Sequence, residues 1–521
     1  MKLGVLSVAA ALAIGLPLAA QSRVWTERER VIVSDFTEVR ALAASDARVY
    51  VATATGLGLY DRRFRRWEPP VVVADGYPTE PVIAAFADPA DDAVWLGTAT
   101  AAVLYRPMLR RFERFPLPGG AREFFYDRDD PFRGMYVLTV GGWEFLPRGG
   151  FATMREPLPP AGRRVRSLTL ESVMARQPVV DAMRAGVLVD ERLRTMRYTA
   201  AAIVPGTDEY YLGTDRGGVV KFDALMARFE PLPFGLLGQG VGAVVAVPGG
   251  VWVGTDARTQ RTGLTFVGED LQEYRYEEGP PGTAFGGRAV RALLPRGREI
   301  WAATDRGIVR VTPNGETRRL TTADGLPDDE TYALAQGPSG VWIGTAFGLG
   351  FFAADGDAVR AADRTAVPVL ALSAARDTVW VGTTGGLGIA TPGSELFLAP
   401  GVDTLLELRS AIVAVTLVAD TVVAASVDHL FWRPPGGAWR VVSAVVSQLG
   451  SVHALLPDAG GVWVGGRDGL LRYGFAGGDV RLFRAPGDVP GVVLGLAADQ
   501  RYLWVATEAG LVRFDRSAIA P

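Results

Sequence analysis

Residues 323–352 read ADGLPDDETYALAQGPSGVWIGTAFGLGFF: a turn, a strand, a turn, a second strand, a glycine turn and a third strand. The second strand recurs along the chain. VWVGT begins at Val251 and Val379, VWLGT at Val94, IWAAT at Ile300, VWVGG at Val462, LWVAT at Leu503, VYVAT at Val49 and YYLGT at Tyr210, with weaker copies MYVLT at Met135 and VVAAS at Val422. Taking the second residue of each copy as an anchor gives eleven positions from Tyr50 to Trp504, spaced 38 to 49 residues apart with one gap of 75. A period near 41 accommodates four short antiparallel strands and their turns, the blade of a β-propeller, whereas helical solenoids of similar period need helical patterning that is absent here.

Inside the copy at Val341, residues 341, 343 and 345 point to one sheet face and Trp342 and Gly344 to the other, yet both sets are apolar or small. Such a strand needs cover on both faces, as a blade between two others has. The anchors are therefore expected to be packing residues, Trp342 and Trp380 among them. Glycines at positions such as Gly307, Gly348, Gly469 and Gly510 then supply the positive φ of a hairpin turn. Ten residues before most anchors stands a variable residue followed by a small one and an aliphatic, as in VRAL at Val39 and Val290, TYAL at Thr331 and VHAL at Val452. This segment is read as the innermost strand of each blade. RW and RF stretches after the third strand are read as outer strands whose arginines form a solvated edge that resists sheet-to-sheet association.

DGLPDDETYALAQGPSGVWIGTAFGLGFF resembles the two-component regulator propeller repeat, with its D-G-L-P turn, its W-I-G-T strand and its G-L turn. The copy at Asp324 carries the pattern most fully, DGYPTEPVIAAF at Asp75 more loosely, and the repeats extend over most of residues 36–516. That resemblance implies extracytoplasmic sensor-type propellers of hybrid histidine kinases, with carbohydrate as a frequent ligand.

Eleven anchors exceed the four to eight blades of an ordinary ring. The expected fold is all-β, a β-propeller of about 11–12 four-stranded blades arranged as two propellers, with one larger ring as the alternative. The division expected is a signal peptide at residues 1–20, amino-terminal blades over 21–240, and a carboxy-terminal propeller of about seven blades over 241–521. The expectation includes one blade closed jointly by strands from the two ends of the sequence, in which case the boundary is not a simple cut. Within the 75-residue gap, Val173, Val180, Met183 and Val187 have helical spacing, and Pro178 suits the start of a second helix. A small helical insertion near 165–195 is expected, as a cap, a contact between rings or a decorated loop.

Met1 to Ala20, MKLGVLSVAAALAIGLPLAA, has one basic residue, an apolar run and small residues at its end. It reads as a signal peptide cleaved near Ala20, with a membrane anchor as the alternative. The expectation is a periplasmic or extracellular protein with no membrane span after cleavage. A formal net charge of −3 over 521 residues speaks against nucleic acid as a partner.

With no cysteine and only His429 and His453, thiol catalysis and histidine-rich metal sites have no residues to work with. His429 falls at a turn position. No phosphate-binding loop is present, and the glycine clusters fall in hairpins rather than before helices. Asp324, Asp328, Asp329 and Glu330 surround the G-L-P turn, where turn chemistry is the plain reading and glycoside or lyase chemistry the alternative. No catalytic residue, metal site or cofactor is expected. The candidate ligand-binding residues are Arg291, Tyr332, His453 and Arg40, at the variable position of the innermost strands, with Leu370, Val413 and Leu494 as apolar wall. Tyr332 suits stacking, Arg291 a carboxylate or phosphate, and His453 a hydrogen bond. The function expected is an exported, non-enzymatic module of sensor type binding a small molecule or glycan, or an envelope protein. A polysaccharide-active enzyme and a structural envelope component are the alternatives.

Overall fold

The computed structural model describes residues 23–520 except 178–179, 181–186, 190–194, 260, 279–284, 286–288, 357, 363–366 and 377. Among the described residues the chain forms eleven antiparallel sheets, ten of four strands and one of five. The protein is an all-β propeller. Sheets are numbered here in chain order, the first over residues 39–72 and the eleventh over 493–515.

The anchor strands are covered on both faces. Every residue of Gly340–Thr345, Gly461–Gly466 and Tyr502–Thr507 is buried. The small residue after the anchor is where the next sheet presses in: a Cβ on Gly254 would stand 2.4 Å from Val290 Cγ1, and one on Gly465 2.4 Å from Val493 Cγ1. Each of those valines opens the first strand of the following sheet. The threonine that ends the motif closes the turn. Thr304 Oγ1 donates to the Gly307 carbonyl at 2.8 Å, Thr345 to Gly348 at 2.9 Å and Thr507 to Gly510 at 2.7 Å.

Gly307 sits at φ 98°, and a Cβ there would lie 2.2 Å from the Leu320 carbonyl oxygen of the fourth strand. Gly307→Ala should therefore lower stability by roughly 1–3 kcal/mol through backbone strain and displacement of that strand. Urea denaturation of the variant checks this.

First strands meet first strands. From the fifth sheet, Val241–Val247, contact passes to Val290–Arg296, Thr331–Gly337, Val369–Ala375, Ile412–Val418, Val452–Asp458 and Val493–Ala498, and the last returns to Val241–Val247. Seven sheets thus close a ring. Its last sheet is completed by β1, Arg30–Val33, which pairs antiparallel with Gly510–Asp515 as the outermost strand. β1 comes from the start of the chain, so residues within 21–240 contribute to a sheet otherwise built from the last residues.

In the other four sheets, contact runs from Thr195–Ile203 of the fourth to Val39–Ala44 of the first, then to Ala84–Ala87 and Glu123–Asp127. The expected insertion corresponds to α1, Leu170–Arg176, which packs on Thr195–Ile203 with Val173 in a cluster with Met196, Tyr198 and Leu212. Its described residues are part helix and part strand. Arg164–Arg166 is a strand on the free edge of Glu123–Asp127, and Val187–Val189, where a helix was expected, is a strand on the edge of Thr195–Ile203. An open inner edge offers unpaired backbone groups, and both ends of the insertion satisfy them. Pro178 and Met183 lie outside the described residues.

Trp67 of the first sheet stacks on Phe234 at 4.2 Å and exchanges two backbone hydrogen bonds of 2.9 Å with the Gln272 side chain of the fifth. One buried cluster runs from Val31 through Trp67, Phe234 and Tyr274 to Trp504, so the two groups of sheets share a core.

Candidate functional site

In all seven sheets of the ring the pairing between first and second strands slips at one residue. The residues left over are Gly242, Arg291, Tyr332, Leu370, Val413, His453 and Leu494, the variable position of the sequence pattern. A bulge leaves its residue unpaired and re-aims its side chain. Because the first strands surround the ring axis and the bulge opens each of them, all seven residues stand at one mouth. The small residue that follows, such as Ala333 or Ala454, is buried.

Arg291 and Tyr332, on consecutive sheets, come together. The guanidinium carbon lies 4.5 Å from the Tyr332 ring centroid, Nη2 forms a 2.9 Å ion pair with Glu330, and Nη1 reaches the Thr331 carbonyl at 3.5 Å. Burial first, and then a hydrogen bond to Glu330, raises the Tyr332 phenol above its ordinary value, so it stays protonated at neutral pH. His453 is three sheets beyond Tyr332, across the axis and between Val413 and Leu494. Its Nε2 is 3.0 Å from Ser451 Oγ. Burial, and then the charge of Arg467, lower its pKa and favour the neutral ring. The mouth therefore has an Arg–Tyr pair on one side and an imidazole opposite.

Arg40 does not join them. It occupies the equivalent bulge, between Val39 and Ala41, but its strand belongs to the four-sheet group. There it pairs with Glu38 at 3.5 Å. Identical local register cannot report which ring a strand enters. His429 is half-buried beside Phe431, with ring centroids 5.8 Å apart, rather than exposed.

The carboxylates around the G-L-P turn are held by the turn. Asp324 Oδ2 accepts the Thr321 N–H at 2.9 Å, Asp329 Oδ1 the Thr322 N–H at 2.7 Å and Asp328 Oδ1 the Glu330 N–H at 2.7 Å. Only Glu330 reaches across to another sheet. Among the described residues no group of three or more metal-ligating side chains could hold a metal ion.

A feature the sequence did not suggest is a polar cavity of about 680 Å³ where the two groups of sheets meet, lined by Asp35, Glu38, Asp215, Gln239, Arg261 and Glu508 among others. The hairpins that carry Arg258 and Glu508 lie at the same ends of their sheets as the bulges, so the cavity opens on the mouth side. Arg261 makes two 2.8 Å hydrogen bonds to Glu278 and donates to Thr37 Oγ1 at 2.9 Å and to the Arg216 carbonyl at 2.8 Å, while Arg258 pairs with Glu508. Burial raises the Asp35 carboxyl above its ordinary value, opposed by its hydrogen bonds from Thr37. The cavity's walls come from segments more than 450 residues apart, which is why no local motif marks it.

No family model matches the chain. No curated protein matches it either. Similar solved structures include a chain described as the extracellular domain of a hybrid two-component system from B. thetaiotaomicron, at 14% identity over 91% of this chain and 69% of that one, with a TM-score of 0.44. Virginiamycin B lyase from Staphylococcus aureus is 17% identical over 53% of this chain and 95% of its own, with a TM-score of 0.44. PorZ, a surface component of the type-IX secretion system of Porphyromonas gingivalis, is 11% identical over 92% of this chain and 74% of its own, with a TM-score of 0.45. The propeller assignment rests on the sheets themselves.

Proposed function

We propose that this chain is an exported β-propeller module of sensor type that binds a small molecule or glycan at the mouth of the seven-sheet ring, without transforming it. The reading rests on one observation: seven bulges place Arg291, Tyr332 and His453 around one opening between apolar walls. Groups far apart in sequence thereby converge on one ligand-sized space. An aromatic face suits a sugar ring, a guanidinium suits a carboxylate or phosphate, and a neutral imidazole can donate or accept. Asp324, Asp328 and Asp329 are engaged in turn hydrogen bonds and Glu330 in the ion pair with Arg291, which favours binding over acid–base chemistry.

The test is a thermal-shift screen with neutral sugars, uronic acids and small carboxylates, followed by titration of the best binder. Arg291→Ala and Tyr332→Ala should each weaken it by about 1.5–3 kcal/mol, roughly ten- to hundredfold in Kd, while Arg40→Ala leaves it unchanged. Unchanged affinity in both variants with an intact melting transition would remove the mouth as the site. Conversion of the bound glycan to shorter or unsaturated products would favour the enzyme reading.

A further inference from the structure

The first, second and fourth sheets share a turn between their last two strands. In the first, Asp61 Oδ1 accepts the N–H groups of Arg63 and Phe64 at 2.9 and 3.0 Å, and in the fourth, Asp223 Oδ1 accepts those of Leu225 and Met226 at 3.0 and 3.1 Å. The second closes its turn with Arg110 N–H on the Pro107 carbonyl at 3.1 Å. All three end on a left-handed residue, Arg65, Arg110 or Ala227, at φ 53°, 47° and 51°. The shared turn of these three sheets holds large apolar side chains outward, and in the third sheet, whose fourth strand lies on the opposite edge, Phe151 is exposed in the segment after Gly142–Pro147. Phe64, Met108, Leu109, Phe151, Leu225 and Met226 are each at least 68% exposed. In the seven-sheet ring the corresponding turns hold no such side chain outward: the fifth sheet's turn also has a left-handed residue, Leu271 at φ 61°, but it is buried, and residues 312–316 read TPNGE.

Strands alternate in direction, so these turns lie at the end of the sheets opposite the bulges. Two further features share that end. A cavity of about 460 Å³ lined by Leu42, Phe86, Tyr126 and Leu168 is rimmed by Ser45, Pro89 and Pro205 at the first-to-second turns. The start of the described chain is also there, since Glu27 pairs with Arg110 at 2.9 Å. Arginines flank the tips, and Arg63, Arg111, Arg155 and Arg228 form no ion pair with a described residue.

We propose that this face of the four-sheet group docks on an anionic lipid surface. The apolar tips enter the headgroup layer, and the flanking arginines meet lipid phosphates. Large apolar side chains held outward by a repeated, hydrogen-bonded turn mark an interaction surface. Exposed arginines beside exposed apolar tips match an anionic headgroup layer over an apolar interior. The inference is independent of the ligand-binding reading, which concerns the opposite face.

The test is co-sedimentation of the protein isolated after export with vesicles of phosphatidylglycerol and phosphatidylcholine, and with phosphatidylcholine alone. The wild type should pellet with the anionic vesicles and less with the neutral ones, and high salt should release it. Combining Phe64→Ser, Leu109→Ser, Phe151→Ser and Met226→Ser should lower partition at least about tenfold with an unchanged melting temperature. Should that variant melt early, the triple charge reversal Arg63→Glu, Arg111→Glu and Arg228→Glu gives the same readout from exposed positions. The proposal is overturned if the wild type stays in the supernatant, if the tip or charge variants bind as well as it does, or if the wild type is a dimer that the tip variant makes monomeric.

Discussion

A chain that starts at residue 34, lacking β1, is expected to be recovered mostly as aggregate, and its soluble fraction to melt far below the full protein. β1 pairs with Gly510–Asp515 in the register Arg30 with Phe514 through Val33 with Leu511. Val31, Ile32 and Val33 are 4%, 2% and 1% exposed. Burial of three such side chains contributes roughly 5–9 kcal/mol, an upper figure because an unfolded chain already hides some apolar surface. That rivals the 5–15 kcal/mol typical of a whole domain. Arg30 adds a clamp, donating to the Gly487 carbonyl at 2.6 Å, the Asp488 carbonyl at 3.0 Å and Asp75 Oδ1 at 2.8 Å. Its removal also leaves Gly510–Asp515 as an open edge, a template for intermolecular pairing. Size-exclusion chromatography and a thermal scan of the two proteins decide it. A truncated chain that stays monodisperse and melts with the full protein would mean that the eleventh sheet does not depend on its outermost strand.

Trp504→Ala should be the most damaging single anchor substitution, at about 3–5 kcal/mol. The ring is fully buried in the core shared by the two groups of sheets, and Nε1 donates to Asp499 Oδ2 at 2.8 Å. Truncation opens a cavity there and removes that donor, while Asp499 keeps its bonds from the Arg501 and Tyr502 N–H groups. Trp380 occupies the same repeat position, but it is half-buried, packed at the margin of its cluster beside Trp439. Trp380→Ala should therefore cost distinctly less. Chemical denaturation of both variants gives the order, and hydrogen exchange shows whether the loss spreads, since stability in repeat arrays is carried largely between neighbours. Equal losses would mean that the repeat position, rather than its tertiary setting, sets the energy.

Much of the candidate site was legible before any coordinates. The offset of ten residues from each anchor picked out Arg291, Tyr332 and His453, and the reason is physical: the bulge leaves one unpaired residue in every first strand of the seven-sheet ring, so that residue is free to vary. The threonine of the W-x-G-T motif escaped notice because its hydrogen bond to the turn glycine's carbonyl forms only when the hairpin closes. The junction cavity escaped because Asp35, Asp215, Arg261 and Glu508 have no common spacing.

By itself the sequence determined the blade. Period, anchor, small neighbour and turn glycine are requirements of local strand geometry and two-sided packing, and they repeat wherever a blade does. It did not determine which blades sit together. Arg40 and Arg291 have the same local pattern yet belong to different groups of sheets, because membership depends on which first strands touch. β1 completes the eleventh sheet because a buried edge at Gly510–Asp515 needs a partner for its backbone groups, and the strand that supplies it lies nearly 480 residues away. The segment between the third and fourth sheets, helical by spacing, became partly strand because two open inner edges offered hydrogen bonds that an isolated helix could not make.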